Sequence, residues 1–252
     1  MNETIDLNAD LGEDESPAAI ERDIAMMDII SSCNIACGGH AGSPVTMRAM
    51  LKAAKDKTVS AGAHPSYPDR ENFGRTRIVI EPSDLAISLH EQLQDLANLA
   101  AEIGTKIVHL KPHGALYNDA QDDETLAAIL VDIAATENLT LVSMAQSTVH
   151  HLALERNVQF IAEAFIDRLY TPAGRLTPRT QDGAVISAQD QRVAQGLALA
   201  QGLPIRTSGN GLKLIQTDTL CLHSDSAGAL TTAQIMRNAL EEQDIIISAP
   251  SP

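Results

Sequence analysis

Ionisable and amide side chains gather in six short segments that lie far apart in the chain and are punctuated by glycine or proline. They are DLNADLGE (6–13), ACGGHAGSP (36–44), GAHPSYP (62–68), KPHGALYN (111–118), EAFIDR (163–168) and TLCLHSD (219–225). Asp10 and Glu13 are two carboxylates close enough for acid–base work or for a metal ion. His40, His64 and His113 are tunable proton carriers or ligands. Lys111 is a cation suited to a carboxylate or phosphate. Asn8, Glu163, Asp167, Arg168 and His223 complete the set, with Asn34 and Asp225 beside it. Each has an ordinary alternative. His40 and His113 could bond loop carbonyls, His64 could merely end a strand before Pro65, Asp10 and Glu13 could cap a turn, and Arg75, Arg77 and Arg168 could form exposed ion pairs. No compact H-E-x-x-H, C-x-x-C pair or nucleophile elbow is present, so any metal site or triad must be assembled by the fold.

What would assemble them is a β-α series. Ile5 to Ala9, Ile29 to Ala36, Thr58 to Ala63, Lys106 to Lys111, Leu139 to Met144, Val158 to Glu163, Ile205 to Ser208 and Thr219 to Leu222 read as strands. Ser16-Pro17 and Ser43-Pro44 are helix starts, with proline where its missing N–H costs nothing. Met47, Met50, Leu51 and Ala54 form one apolar helix face. Leu85, Leu89, Leu93, Leu96, Ala100 and Ile103 form another, ended by Gly104. Further helical patterns cover Leu126 to Ile133, Val149 to Leu154, Gln189 to Gln201 and Thr231 to Glu241.

Repeated β-α units predict a mainly parallel sheet, open or closed. Nearly all candidate residues fall at C-terminal strand ends, which converge on one face in either arrangement. Phosphate-loop signatures are absent and SGNGLK at 208–213 is a glycine turn, which favours the barrel. The expected fold is α/β, an irregular parallel β/α barrel of about seven strands over residues 1–252, with a short irregular tail from about 243 to 252.

The 252 residues carry 18 Lys+Arg against 33 Asp+Glu, a formal charge of −15. Such acidity disfavours nucleic acid, whose affinity comes largely from Lys and Arg. No apolar run approaches the ~20 residues of a membrane helix. The acidic start lacks the pattern of a secretory signal, so a cytoplasmic location is expected. Cys33, Cys37 and Cys221 read as reduced, buried, small apolar residues. With six aromatics and no Trp, the core must be aliphatic.

In order from Asp6 to Asp225, these segments resemble the successive motifs of the LamB/YcsF family, to which 5-oxoprolinase A subunits belong. The resemblance implies a barrel related to the polysaccharide-deacetylase type, and hydrolytic opening of 5-oxoproline to glutamate. ATP would be the co-substrate, bound by separate B and C subunits. It matches Asp10, Glu13, His40, His64, Lys111, His113, Glu163, Asp167, Arg168 and His223 to motif positions. On that basis Asp10 or Glu13 is expected as base and His113 or His64 as proton donor. Asn8, His40, Lys111, Glu163, Asp167, Arg168 and His223 are expected around the substrate, with Lys111 on its carboxylate. A version with a divalent metal, Asp10, His40 and His64 among its ligands, is less favoured; a stand-alone metal-dependent deacetylase or amidohydrolase that needs no ATP is an alternative function. A non-catalytic substrate-binding subunit is the other reading.

Overall fold

The computed structural model describes residues 4–224 and 228–250; Asp225 lies outside the described residues. The chain runs β1 (Thr4–Leu11), α1 (Pro17–Met26), β2 (Ser32–Ala36), α2 (Pro44–Lys57), β3 (Ser60–His64), α3 (Pro82–Ile103), β4 (His109–Leu110) and α4 (Gly114–Asp119). It continues with α5 (Glu124–Thr136), β5 (Thr140–Ser143), α6 (Thr148–Glu155), β6 (Phe160–Phe165), α7 (Gln189–Ala200), β7 (Ile205–Arg206), β8 (Leu212–Lys213), β9 (Thr219–Leu222), α8 (Ala229–Glu241) and β10 (Ile246–Ile247). Strands β1 to β6 pair in sequence order, all parallel, and β9 closes the barrel by pairing with both β6 and β1. The result is the seven-stranded parallel β/α barrel expected from the sequence.

Local chemistry sets the helix starts that aim the strand exits. Ser16 caps α1 by accepting the Ala19 N–H. Ser43 and Thr46 form a reciprocal capping box on α2, in which each side chain accepts from the other's main-chain N–H. α3 ends at Gly104 with φ +73°, the left-handed geometry glycine adopts without steric cost. Its Leu85, Leu89, Leu93 and Leu96 are buried, and truncating one of them to Ala would cost about 2–5 kcal/mol.

Three sequence expectations change. Ile205 to Ser208 is no barrel strand: β7 pairs antiparallel with β8 in a two-stranded ribbon, because β6 and β9 meet directly and the SGNG turn folds the segment back. The tail is not wholly irregular, since Ile246 and Ile247 pair in parallel with Thr4 and Ile5. The fourth strand contracts to His109–Leu110, flanked by single main-chain bonds from Val108 and Lys111 to β3.

The barrel has two chemically distinct faces. Ile5, Leu7, Ala9 and Leu11 of β1 join the aliphatic layer under the helices. The alternate residues Asp6, Asn8 and Asp10 enter a polar lumen. There Asp6 accepts from the hydroxyls of Ser31, Ser32 and Thr219. Asn8 donates to Thr219, and Asn34 donates to Asn8 and Asp10, at 2.8 Å each. His109 Nε2 donates to Asn34 Oδ1 at 2.8 Å. Gly62 on β3 makes room for that imidazole, since a Cβ there would overlap the ring.

Candidate active site

Above this plug the C-terminal strand ends frame a cavity of about 510 Å³. Asp10, Glu13, His64, Lys111, His113, Arg168 and His223 line it, as do Tyr117, Phe165 and the 176–180 loop with Arg179. Asn8, His40, Glu163 and Asp167 do not border it. Asn8 lies deeper in the lumen, and the other three stand behind residues that do. All four are expected around the substrate from the sequence; Asn8 sits below Asp10 because alternate residues of a strand enter the lumen at successive depths.

Lys111 is 2% exposed and its Nζ lies 2.8 Å from Asp10 Oδ1 and 2.7 Å from Glu163 Oε1. Burial opposes its charge. The carboxylates of Asp10 and Glu163, with Cys221, outweigh that and hold the ammonium well above its ordinary pKa. Asp10 is the reciprocal case: burial opposes ionisation, but His64 and Lys111 hold its carboxyl well below the usual range. The expectation that Lys111 holds a substrate carboxylate is therefore revised, since its charge is already spent on two internal anions.

The imidazoles form a second cluster. His40 and His113 stack with ring centroids 3.6 Å apart, and His64 stands edge-on to both. Gly74 and Gly114, with φ +61° and +59°, allow this approach: a Cβ on Gly74 would come within 2.9 Å of His40 Cβ. Burial, reinforced by neighbouring charge at His64, pushes the His40 pKa down to about 2 and that of His113 well below its ordinary value. His113 Nε2 donates to the Phe73 carbonyl and His64 Nδ1 to the Lys111 carbonyl. These two nitrogens are therefore committed to main-chain carbonyls, and the nitrogens that face the cavity are His64 Nε2 and His113 Nδ1.

Burial also opposes a charge on His223, yet Asp167 Oδ2, 2.8 Å from its Nδ1, more than compensates and raises its pKa. His223 Nε2 receives Arg179 at 3.2 Å. Arg168 is buried and donates to the carbonyls of Thr177 and Ala184; among the described residues no carboxylate lies within ion-pair distance of it. Arg179, Phe165 and Tyr117 were not singled out in the sequence. The only signal for Arg179 was a basic residue in a Pro-containing loop after a strand.

Among the described residues, Glu13, His40, His64 and His113 each offer one ligand atom, all within 4.8 Å of one another, and could hold a divalent cation. This set shares His40 and His64 with the one expected from the sequence. Asp10 stands beside it, 3.4 Å from His64 Nε2, because it is turned toward Lys111.

The LamB/YcsF family profile matches residues 5–252. The chain belongs to the LamB/YcsF family. Among curated LamB/YcsF relatives it is 40% identical over 240 residues to a 5-oxoprolinase A subunit of Pseudomonas syringae pv. tomato, covering 94% of each chain. The crystal structure of a lactam utilization protein from Thermus thermophilus is 29% identical, with TM-score 0.88, covering 98% of this chain and 100% of that one. A family 4 carbohydrate esterase from Streptomyces lividans superposes with TM-score 0.54 at 13% identity, covering 99% and 93%, a likeness of fold alone. No described helix of this LamB/YcsF chain is long and apolar enough to cross a membrane.

Proposed function

We propose that this chain is the A subunit of an ATP-dependent 5-oxoprolinase, opening the lactam of 5-oxoproline to glutamate with separate B and C subunits. The observation that carries the reading is the juxtaposition, on one cavity, of an ionised Asp10 and the Asp167-supported His223. Asp10 is on β1 and His223 directly follows the neighbouring β9, each one position beyond the Ala9 and Leu222 pair. The names and identities of its relatives support the substrate.

An unstrained lactam needs activation before water can attack. The partner subunits would phosphorylate the amide oxygen with ATP, since this chain has no phosphate-loop signature. In the barrel, Asp10 takes a proton from water as the new C–O bond forms and His223 gives a proton to the ring nitrogen. The C–N bond then breaks as the new hydroxyl's proton passes to that nitrogen, and a second water hydrolyses the resulting acyl phosphate to glutamate and inorganic phosphate. The Asp167 carboxylate, 2.8 Å from Nδ1, stabilises the imidazolium, and protonation of Nε2 turns Arg179 aside toward the substrate. Arg75, Arg77 and Arg179, exposed at the rim, and the buried Arg168 are arginines that line the cavity. Of these, Arg179 contacts His223 and Arg168 feels the charge of Asp167, and these two are taken for the substrate carboxylate. A divalent ion held by Glu13, His40, His64 and His113 would supply Lewis-acid polarisation next to Asp10.

The test is glutamate formation from 5-oxoproline and ATP with B and C subunits, comparing this chain with its Asp10→Asn variant. A loss of about 10²-fold or more with unchanged circular dichroism is expected. Full activity in the variant would move the chain to a non-catalytic role. ATP-independent hydrolysis by the chain alone would favour the amidohydrolase.

A further inference from the structure

We infer that Glu13, His40, His64 and His113 form a binding site for one divalent transition ion of the zinc type. Hydrogen positions point to it before distances do. A carbonyl oxygen can only accept, so His64 must donate from Nδ1 to Lys111 O and His113 must donate from Nε2 to Phe73 O, at 2.8 and 3.0 Å. The nitrogens left over, His64 Nε2 and His113 Nδ1, then carry lone pairs, and they face each other at 3.0 Å. Carboxylate oxygens surround them: Glu13 Oε1 is 3.5 Å from His113 Nδ1, and Asp10 Oδ2 is 3.4 Å from His64 Nε2. Acceptor is set against acceptor in a buried place, which is unfavourable unless something positive sits among them.

A proton on His64 would supply one N–H, and one N–H satisfies one of the acceptors around it. A cation satisfies all of them. The spacing fits that alternative. Four ligand atoms at the usual ~2.1 Å around a tetrahedral ion lie about 3.4 Å apart. Three of the ligand-to-ligand separations here are 3.0, 3.2 and 3.5 Å. Three imidazoles with one carboxylate form a borderline donor set that suits zinc-type ions better than magnesium or calcium. The two main-chain carbonyls play the part that outer partners play in metal sites: they fix the ring tautomer and orientation. His40 is buried as well, with its Nε2 3.2 Å from Glu13 Oε1. Glu13, His64 and His113 line the cavity, so an ion there would be reached from it.

The site does not depend on the proposed reaction, and neither does its test. The full chain, stripped with chelator and dialysed against Zn²⁺, should retain one equivalent per chain. With Co²⁺ it should show the intense visible absorption of a low-coordinate site. His113→Ala and Glu13→Gln should each lower Zn²⁺ affinity at least 100-fold, whereas His151→Ala, on the outer helix α6, should leave it unchanged. Because a cluster variant can misfold, long-range ¹H–¹⁵N spectra of the unsubstituted chain provide the second reading: Zn²⁺ should shift His64 Nε2 and His113 Nδ1 and leave their partner nitrogens protonated. Absence of stoichiometric uptake, uptake indifferent to His113→Ala and Glu13→Gln, or ring resonances unmoved by Zn²⁺ would overturn the inference.

Discussion

His223 Nδ1 and Asp167 Oδ2 lie 2.8 Å apart, which gives an imidazole at the cavity a raised pKa despite its burial. Asp167→Asn removes the charge and keeps the shape. The His223 pKa should then fall, and the alkaline limb of kcat/KM for glutamate formation should move to lower pH, as NMR titration and a pH profile would show. The sign for stability follows from linkage. A histidine whose folded pKa exceeds its unfolded value adds stability that is fully present below the unfolded pKa and is lost as pH rises through the folded one. Asp167→Asn should abolish that slope in denaturation measured across this window.

Lys111 bridges two buried carboxylates, so its removal leaves both unpaired. Lys111→Met should destabilise the fold by about 3–5 kcal/mol. Adding Glu163→Gln should recover part of the loss, because the second anion is then neutral. Urea denaturation midpoints of the two variants check this, and equal midpoints would show that Glu163 is not a partner in the pair.

Arg179 is exposed at the rim and contacts His223. Arg179→Met should raise KM for 5-oxoproline by roughly tenfold or more, the scale of a charge-assisted hydrogen bond worth ~1.5–3 kcal/mol, with a smaller change in kcat. Steady-state kinetics of the reconstituted assembly separates the two. An unchanged KM would assign the substrate carboxylate elsewhere, with Arg168 the remaining buried cation.

Gly62 faces the His109 ring with no room for a side chain. Gly62→Ala should cost about 1–3 kcal/mol through overpacking and break the His109 to Asn34 bond. Thermal denaturation reads the first effect, and the His109 ring resonances read the second.

Much of the scaffold was readable because its signals are local. The Ser16-Pro17 and Ser43-Pro44 starts, the leucine face of α3 and the Gly104 stop each depend on a few neighbouring residues, and they appear in the structure where the chain calls for them. The six-residue α4 was missed because GALYND is too short to show a 3.6-residue period. Ile205 to Ser208 has the composition of a strand, and only the direct pairing of β6 with β9 excludes it from the barrel. The polar lumen had a visible signal in the alternation of Asp6, Asn8 and Asp10 with Leu7, Ala9 and Leu11. A strand buried on both faces does not need that alternation unless its inner face is polar.

The candidate residues were legible as a set because strand ends converge, but their roles were not. The pairing of Lys111 with Asp10 and Glu163 spans 101 and 52 positions of the chain, and the main-chain carbonyls that fix His64 and His113 have no side-chain signature at all. Those contacts move Lys111 from substrate binding to an internal ion pair. They also commit one nitrogen each of His64 and His113 to the main chain, and the proposed mechanism places the proton donor at His223 instead.

The most direct measurement is glutamate release from 5-oxoproline and ATP by purified B and C subunits, with this chain present or omitted. Glutamate formed only when all three proteins are present is the predicted result. No glutamate from competent partners and a folded chain would contradict the assignment.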